Sequence, residues 1–143
     1  MKFEKQKSAG YLVNHMARLF AKGLQDRIGP LGIVIGQFPI LLELWEKDGI
    51  SQKELLQSID VEQATLANTL NRMERDGLIS RTKHLSDGRT QQIWLTAAAR
   101  KKKMKAYQAA YDQNNASLTV LNESEREQLM GFMRRIIGGM RSE

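Results

Sequence analysis

The sequence predicts a mainly α-helical chain that carries one small β-hairpin. Three observations predict it. Apolar residues recur at three- and four-residue steps through 8–28 and 123–140, the period of a helix face. From Ser51 to Arg75 two short helical patterns follow one another across a turn at Ile59-Asp60. Two strand-like runs come next, Ile79 to Lys83 and Gln91 to Leu95, and the Asp87-Gly88 pair between them is a hairpin-turn signal. Helix, turn, helix, strand, basic loop, strand is the plan of a winged helix-turn-helix. In that plan one helix enters the major groove of duplex DNA and the hairpin wing reaches the adjacent minor groove.

The first helix is expected over about residues 8–28. Leu12, Met16, Leu19, Phe20, Gly23, Leu24 and Ile28 make one face, and Gly29-Pro30-Leu31-Gly32 ends it. A second helix begins near Gly36. Pro39 fits its first turn, where backbone donors have no helical acceptor. Phe38, Leu41, Leu42 and Trp45 supply its buried side, and Asp48-Gly49 stops it. Ser51-Gln52-Lys53-Glu54 has the spacing of a capping box and opens a short helix carrying Leu55, Leu56 and Ile59. The next helix is expected from near Val61 to Arg75, with Asp60 as its cap and Gln63 at the reciprocal position. Leu66, Leu70 and Met73 point inward, and Gly77 supplies the left-handed residue that ends it. Ile79, Ile93 and Leu95 face the core from the strands. Thr96 caps a long helix running toward Leu121, with Met104, Tyr107, Tyr111 and Leu118 along one stripe. Asn122 and Glu125 open the last helix, whose apolar residues are Leu129, Phe132, Met133, Ile136, Ile137 and Met140. The expected organisation is one domain over 1–143. Its winged helix-turn-helix lies at about 33–96, between helices at about 8–28 and 97–141. The apolar stripes of those outer helices exceed what the short helices of one subunit can cover, so a dimer interface is expected there.

Composition narrows the function classes. The 41% hydrophobic and 27% charged shares are ordinary for a soluble globular protein, and 143 residues suffice for a core. No apolar run approaches the length of a membrane helix, and the polar start Met1-Lys2-Phe3-Glu4-Lys5 does not read as a secretory leader. The cytoplasm is the expected location. Cysteine is absent, which excludes disulfides, thiolate metal sites and Cys nucleophiles. Histidine occurs only at His15 and His84, and no closely spaced His/Asp/Glu set suggests a metal. No phosphate-binding Gly-rich loop or nucleophile elbow is present, so neither a cofactor nor an enzyme is expected. The net charge is +6, and between Glu62 and Lys103 nine cations stand against four anions. Nearly all the excess therefore lies in this expected DNA-facing segment, and a focused basic patch is the footprint of polyanion binding.

The segments Leu78-Ile79-Ser80-Arg81, Asp87-Gly88-Arg89-Thr90 and Ile93-Trp94-Leu95-Thr96 resemble the MarR family of bacterial transcription regulators. The characteristic wing of that family is Asp-x-Arg before a strand ending Leu-Thr. Gln37-Phe38 and the run Arg72-Met73-Glu74-Arg75-Asp76-Gly77-Leu78 match as well, so the resemblance covers almost the whole chain. It implies a homodimeric, sequence-specific regulator on a pseudo-palindromic operator, most often a repressor, released by a small aromatic or lipophilic effector. The family's thiol-based oxidant sensors need a Cys that this chain lacks. Two rival readings remain: an effector-independent winged-helix DNA-binding module, or a protein-interaction module.

Particular residues suit these roles. Arg89 at the wing tip can enter a narrow minor groove, with Asp87 orienting its guanidinium; the same two residues also suit a surface ion pair. Lys83 and Thr90 flank that loop and join the DNA-facing set. Gln63, Ala64, Thr65, Asn68 and Thr69 form a helix face able to meet base edges or phosphates, and would serve equally as a solvated polar face. Arg72, toward the helix C-terminus, is better placed for phosphate than for a base. Ser51 and Gln52 open a helix whose backbone N–H groups can meet a phosphate, or simply cap it. The run Arg100 to Lys103 opposes the dipole of its helix, which DNA phosphate or solvent can compensate. His15, Phe38, Trp45, Tyr107 and Tyr111 can line an effector pocket, although aromatic residues at helical spacing also read as core.

Overall fold

The computed structural model describes residues 1–83 and 90–142. The helix α1 spans Ala9–Ile28 and starts where the Ser8 hydroxyl accepts the Tyr11 N–H at 3.3 Å. After two 3-10 turns the chain enters α2, Phe38–Glu46, with Pro39 in its first turn. A short strand β1, Ile50–Ser51, leads directly into α3, Gln52–Ile59. The capping box at α3 is complete: Ser51 Oγ accepts the Glu54 N–H, and Glu54 Oε1 accepts the Ser51 N–H. Next come α4, Gln63–Arg75, and the strands β2, Ile79–Lys83, and β3, Gln91–Leu95. The chain closes with α5, Ala97–Lys101, α6, Lys103–Ser117, and α7, Glu123–Arg141. Among the described residues no single helix is long and apolar enough to cross a membrane.

The three strands form an antiparallel sheet in the order β1-β3-β2. Ile79 faces Leu95 and Arg81 faces Ile93 across β2 and β3, while Ile50 faces Ile93 across β1 and β3. The sheet lays Ile79, Ile93 and Leu95 on a core completed by Leu41 and Leu44 of α2, Leu55 of α3, and Leu66, Leu70 and Met73 of α4. This is a mainly α fold with a winged helix-turn-helix at its centre. The terminal helices differ in kind. Ile28 is buried at the end of α1, but Leu12, Met16 and Leu19 are exposed, and no residue of α7 is buried within the single chain.

Several expectations need correction. The helix α4 begins at Gln63 and not near Val61. Asp60 does not cap it; Asp60 is the C-cap of α3 at φ 54°, a left-handed conformation that a short polar side chain tolerates. Glu62 takes the N-cap position of α4 without a side-chain bond. The strand β1 was not anticipated, being only two residues long. Leu42 is exposed, since α2 turns Ile40, Leu41 and Leu44 inward. The long helix after Thr96 is broken at Lys102. There the buried Ala99 carbonyl accepts both the Trp45 indole N–H at 3.0 Å and the Lys102 N–H at 3.1 Å, which tightens the turn. Beyond the break, Met104 and Tyr111 are exposed, while Ala106, Ala109 and Gln113 are buried. Small residues allow α6 to approach α1 closely, and Gly23 of α1 gives room to the Gln113 amide.

Candidate nucleic-acid interface

The outward face of α4 follows from helical geometry. Burial of Leu66, Leu70 and Met73 fixes the rotation of α4, and this turns Gln63, Ala64, Thr65, Asn68 and Arg72 to solvent. Thr65, Asn68 and Arg72 then share one stripe at three- and four-residue steps. Thr69 is half-buried, and its hydroxyl donates to the Thr65 carbonyl at 2.8 Å. That leaves the hydroxyl as an acceptor only. Ser51 and Gln52 lie at the start of α3, with the Ser51 hydroxyl engaged in capping. Lys83 ends β2 opposite Gln91, and Thr90 directly precedes β3. Asp87 and Arg89 lie outside the described residues, as does His84.

Partners divide the basic residues into two sets. Arg81 pairs with Glu74 at 3.4 Å and donates to Asn71 Oδ1 at 2.6 Å, tying β2 to α4. Arg75 pairs with Asp76 at 3.0 Å. Arg100 pairs with Asp48 at 2.9 Å. Because the helix breaks at Lys102, Arg100 and Lys101 lie in the last turn of α5, where a cation suits the helix dipole, and not in a first turn as expected. Among the described residues no such ion pair engages Arg72 or Lys83.

Three side chains that sequence reading passed over position this surface. Asp48 Oδ2 accepts the Leu95 N–H at 3.0 Å as well as Arg100, and so pins the end of β3 to the end of α2. Gly49, at φ +75°, lets the Trp94 ring lie against the backbone; a Cβ there would sit 2.6 Å from that ring. Trp94 Nε1 in turn donates to Thr82 Oγ1 at 2.8 Å across the wing strands. Buried Gln37 donates to Asp76 Oδ2 at 3.0 Å and accepts the Val34 N–H, linking the entry of α2 to the end of α4. The Arg75 guanidinium and, secondarily, the Gln37 amide hold the Asp76 carboxyl below its ordinary value. In sequence, Asp48-Gly49 read only as a helix stop and Gln37 only as part of a match.

The five candidate effector residues are not gathered at one cavity. Phe38, Trp45 and Tyr107 form an edge-to-face chain with centroids 6.1 and 5.8 Å apart, two of its members in the core. His15 meets Tyr11 on the exposed face of α1, and Tyr111 is exposed on α6. A cavity of about 360 Å³ lies elsewhere, among α1, α6 and α7. Val13, Met16, Phe20, Leu118, Leu129 and Met133 line it, with Asn114 as its polar member.

Comparison with known proteins places this geometry. The sequence model of the MarR family matches residues 33–90. The transcriptional regulator HosA of Escherichia coli is 31% identical over 101 residues, covering 71% of this chain and 75% of that protein. Among solved structures, a probable transcriptional regulator from Pseudomonas aeruginosa superposes with a TM-score of 0.85 at 26% identity, covering 93% of this chain and 99% of the other. The transcriptional repressor CouR, solved bound to a 23-mer DNA duplex, superposes with a TM-score of 0.84 over 96% of this chain and 99% of its own, at 20% identity. That last likeness is one of fold.

Proposed function

This chain belongs to the MarR family of transcriptional regulators, and from that premise we propose that it acts in the cytoplasm as a homodimeric, sequence-specific repressor released by a small ligand. One observation carries the reading: α4 offers Gln63, Thr65, Asn68 and Arg72 outward beside a wing strand ending in Lys83, which has no ion pair among the described residues. Amide and hydroxyl groups suit base edges, and Arg72 and Lys83 suit phosphate. On its sequence position between the wing strands, Arg89 joins them as the minor-groove residue.

Dimerisation is supported by what one chain leaves uncovered. Phe132, Ile136, Ile137 and Met140 of α7 are each more than half exposed, and Leu12, Val13 and Leu19 of α1 are exposed too. A second copy placed on these faces would carry a second recognition helix, and half-sites about 34–36 Å apart would follow from the two-fold axis. Release by ligand is supported by the apolar cavity among α1, α6 and α7, which suits a lipophilic compound. Such a compound need only favour one spacing of the recognition helices over the other.

Selection from a random-sequence duplex pool tests the reading. The expected product is a pseudo-palindromic consensus bound by two chains. Recovery of no consensus would overturn it.

A further inference from the structure

Arg141 stands at the end of α7, yet its guanidinium reaches the turn that joins α3 to α4. Nε lies 2.9 Å from Asp60 Oδ2, and Nη2 donates to the Gln57 backbone carbonyl. Both acceptors belong to the end of α3, where Asp60 is the C-cap at φ 54°. The guanidinium fork suits two oxygens at once, and a cation is favoured where helix carbonyls converge. Three residues after Asp60, Gln63 starts the recognition helix. At the other end of α7, Arg126 Nε donates to the Leu118 and Leu121 carbonyls at 2.9 and 3.1 Å. No residue of α7 between these anchors is buried, Leu129 and Met133 being half-buried at the cavity shared with α1 and α6, and the two arginines tie this rod at one end to the exit of α6 and at the other to the helix-turn-helix. The same rod carries the apolar stripe Phe132, Ile136, Ile137 and Met140.

We propose that Arg141 is a positioning residue for DNA recognition, holding the start of α4 at a fixed orientation to the helix that pairs the two copies. This rests on the dimeric DNA-binding reading above. The pair is about half exposed on both sides, so its intrinsic strength is modest. Its influence comes from leverage, because a small rotation of α4 in each copy changes the separation of two groove contacts one helical turn apart.

The probe is a duplex selected by the wild-type protein, together with versions in which one base pair is inserted or removed between half-sites. Arg141→Gln removes the cation. Asp60→Asn removes the anion while keeping a residue type that accepts the left-handed backbone. Loss of the Asp60 charge also favours any polyanion, so the deciding readout is the ratio of affinities between spacings. Each variant should reduce the preference for the selected spacing about two- to fivefold, the range an exposed ion pair supports. The double variant should lose no more than either single one, because the two residues act as a unit. Sedimentation should show an unchanged dimer. An unchanged spacing preference in both variants, or independent additive losses, overturns the proposal. If Arg141→Gln disturbs dimerisation, Asp60→Asn, which lies outside α7, decides alone. If the wild-type protein selects no duplex, the DNA-binding reading falls and this proposal with it. If it selects one and the variants match it, only the role of Arg141 falls.

Discussion

At the scale of single residues, the strands β2 and β3 are positioned by groups outside the outward face of α4. Gly49 is required twice, by its φ of +75° and by the Trp94 ring against its backbone. Gly49→Ala should cost about 1–3 kcal/mol, the range for a strained non-glycine backbone, read as a lowered urea midpoint. An unchanged midpoint would show that the Trp94 contact yields freely. Asp76 sets a pH dependence. Its carboxyl is held low in the folded chain by Arg75 and Gln37, so its stabilising contribution is complete above the ordinary carboxylate value and is lost as pH falls through the lowered one. Below about pH 4 the melting temperature of Asp76→Asn should therefore fall less steeply than that of the wild type. Parallel acid curves would remove Asp76 from the account. Asn68→Ala should relax preference at one base position by about 1–3 kcal/mol, seen by repeating the duplex selection with the variant. An unchanged consensus would assign Asn68 to solvent.

At the scale of elements, the 3.6-residue period made α4 legible. Leu66, Leu70 and Met73 fixed which side was inward, and the outward placement of Gln63, Thr65, Asn68 and Arg72 followed. The strands β2 and β3 were legible from their composition and the Asp87-Gly88 turn signal in the sequence between them. What the period did not carry was the commitment of polar groups. The Thr69 hydroxyl, Arg81 and Arg100 are all engaged internally, by partners that only the fold brings near. The packing face of α6 was missed for a related reason. It uses Ala106, Ala109 and Gln113, which give little hydrophobic signal, where the bulkier Met104 and Tyr111 suggested another stripe. That face makes its own prediction. A Cβ on Gly23 would stand 2.4 Å from the Gln113 amide, which Arg27 and Ser117 hold at 3.0 and 2.8 Å. Gly23→Ala should cost about 1–3 kcal/mol by overpacking, and Gln113→Ala in the same chain should recover part of it. Additive losses in a denaturant titration would contradict the close approach.

At the scale of the whole molecule, one chain leaves two apolar helix faces uncovered and one polar helix face aimed outward. Under the proposed function a second copy would cover the first feature and duplex DNA would meet the second. The helix-turn-helix and wing plan of Ser51 to Thr96 suggested duplex DNA by itself, whereas the second copy was inferred from apolar stripes spread over the outer helices. The contact between Arg141 and Asp60 was the least legible, since an exposed cation and anion far apart in sequence carry no pairing signal until α7 folds back. The central claim is that two chains together neutralise phosphates on one duplex. Its most direct test is a fluorescence-anisotropy titration of the selected duplex at several salt concentrations. The account predicts two chains per duplex and an affinity falling steeply with salt, with a log–log slope of about −0.9 for each phosphate neutralised. A flat salt response, or saturation at one chain per duplex, would contradict it.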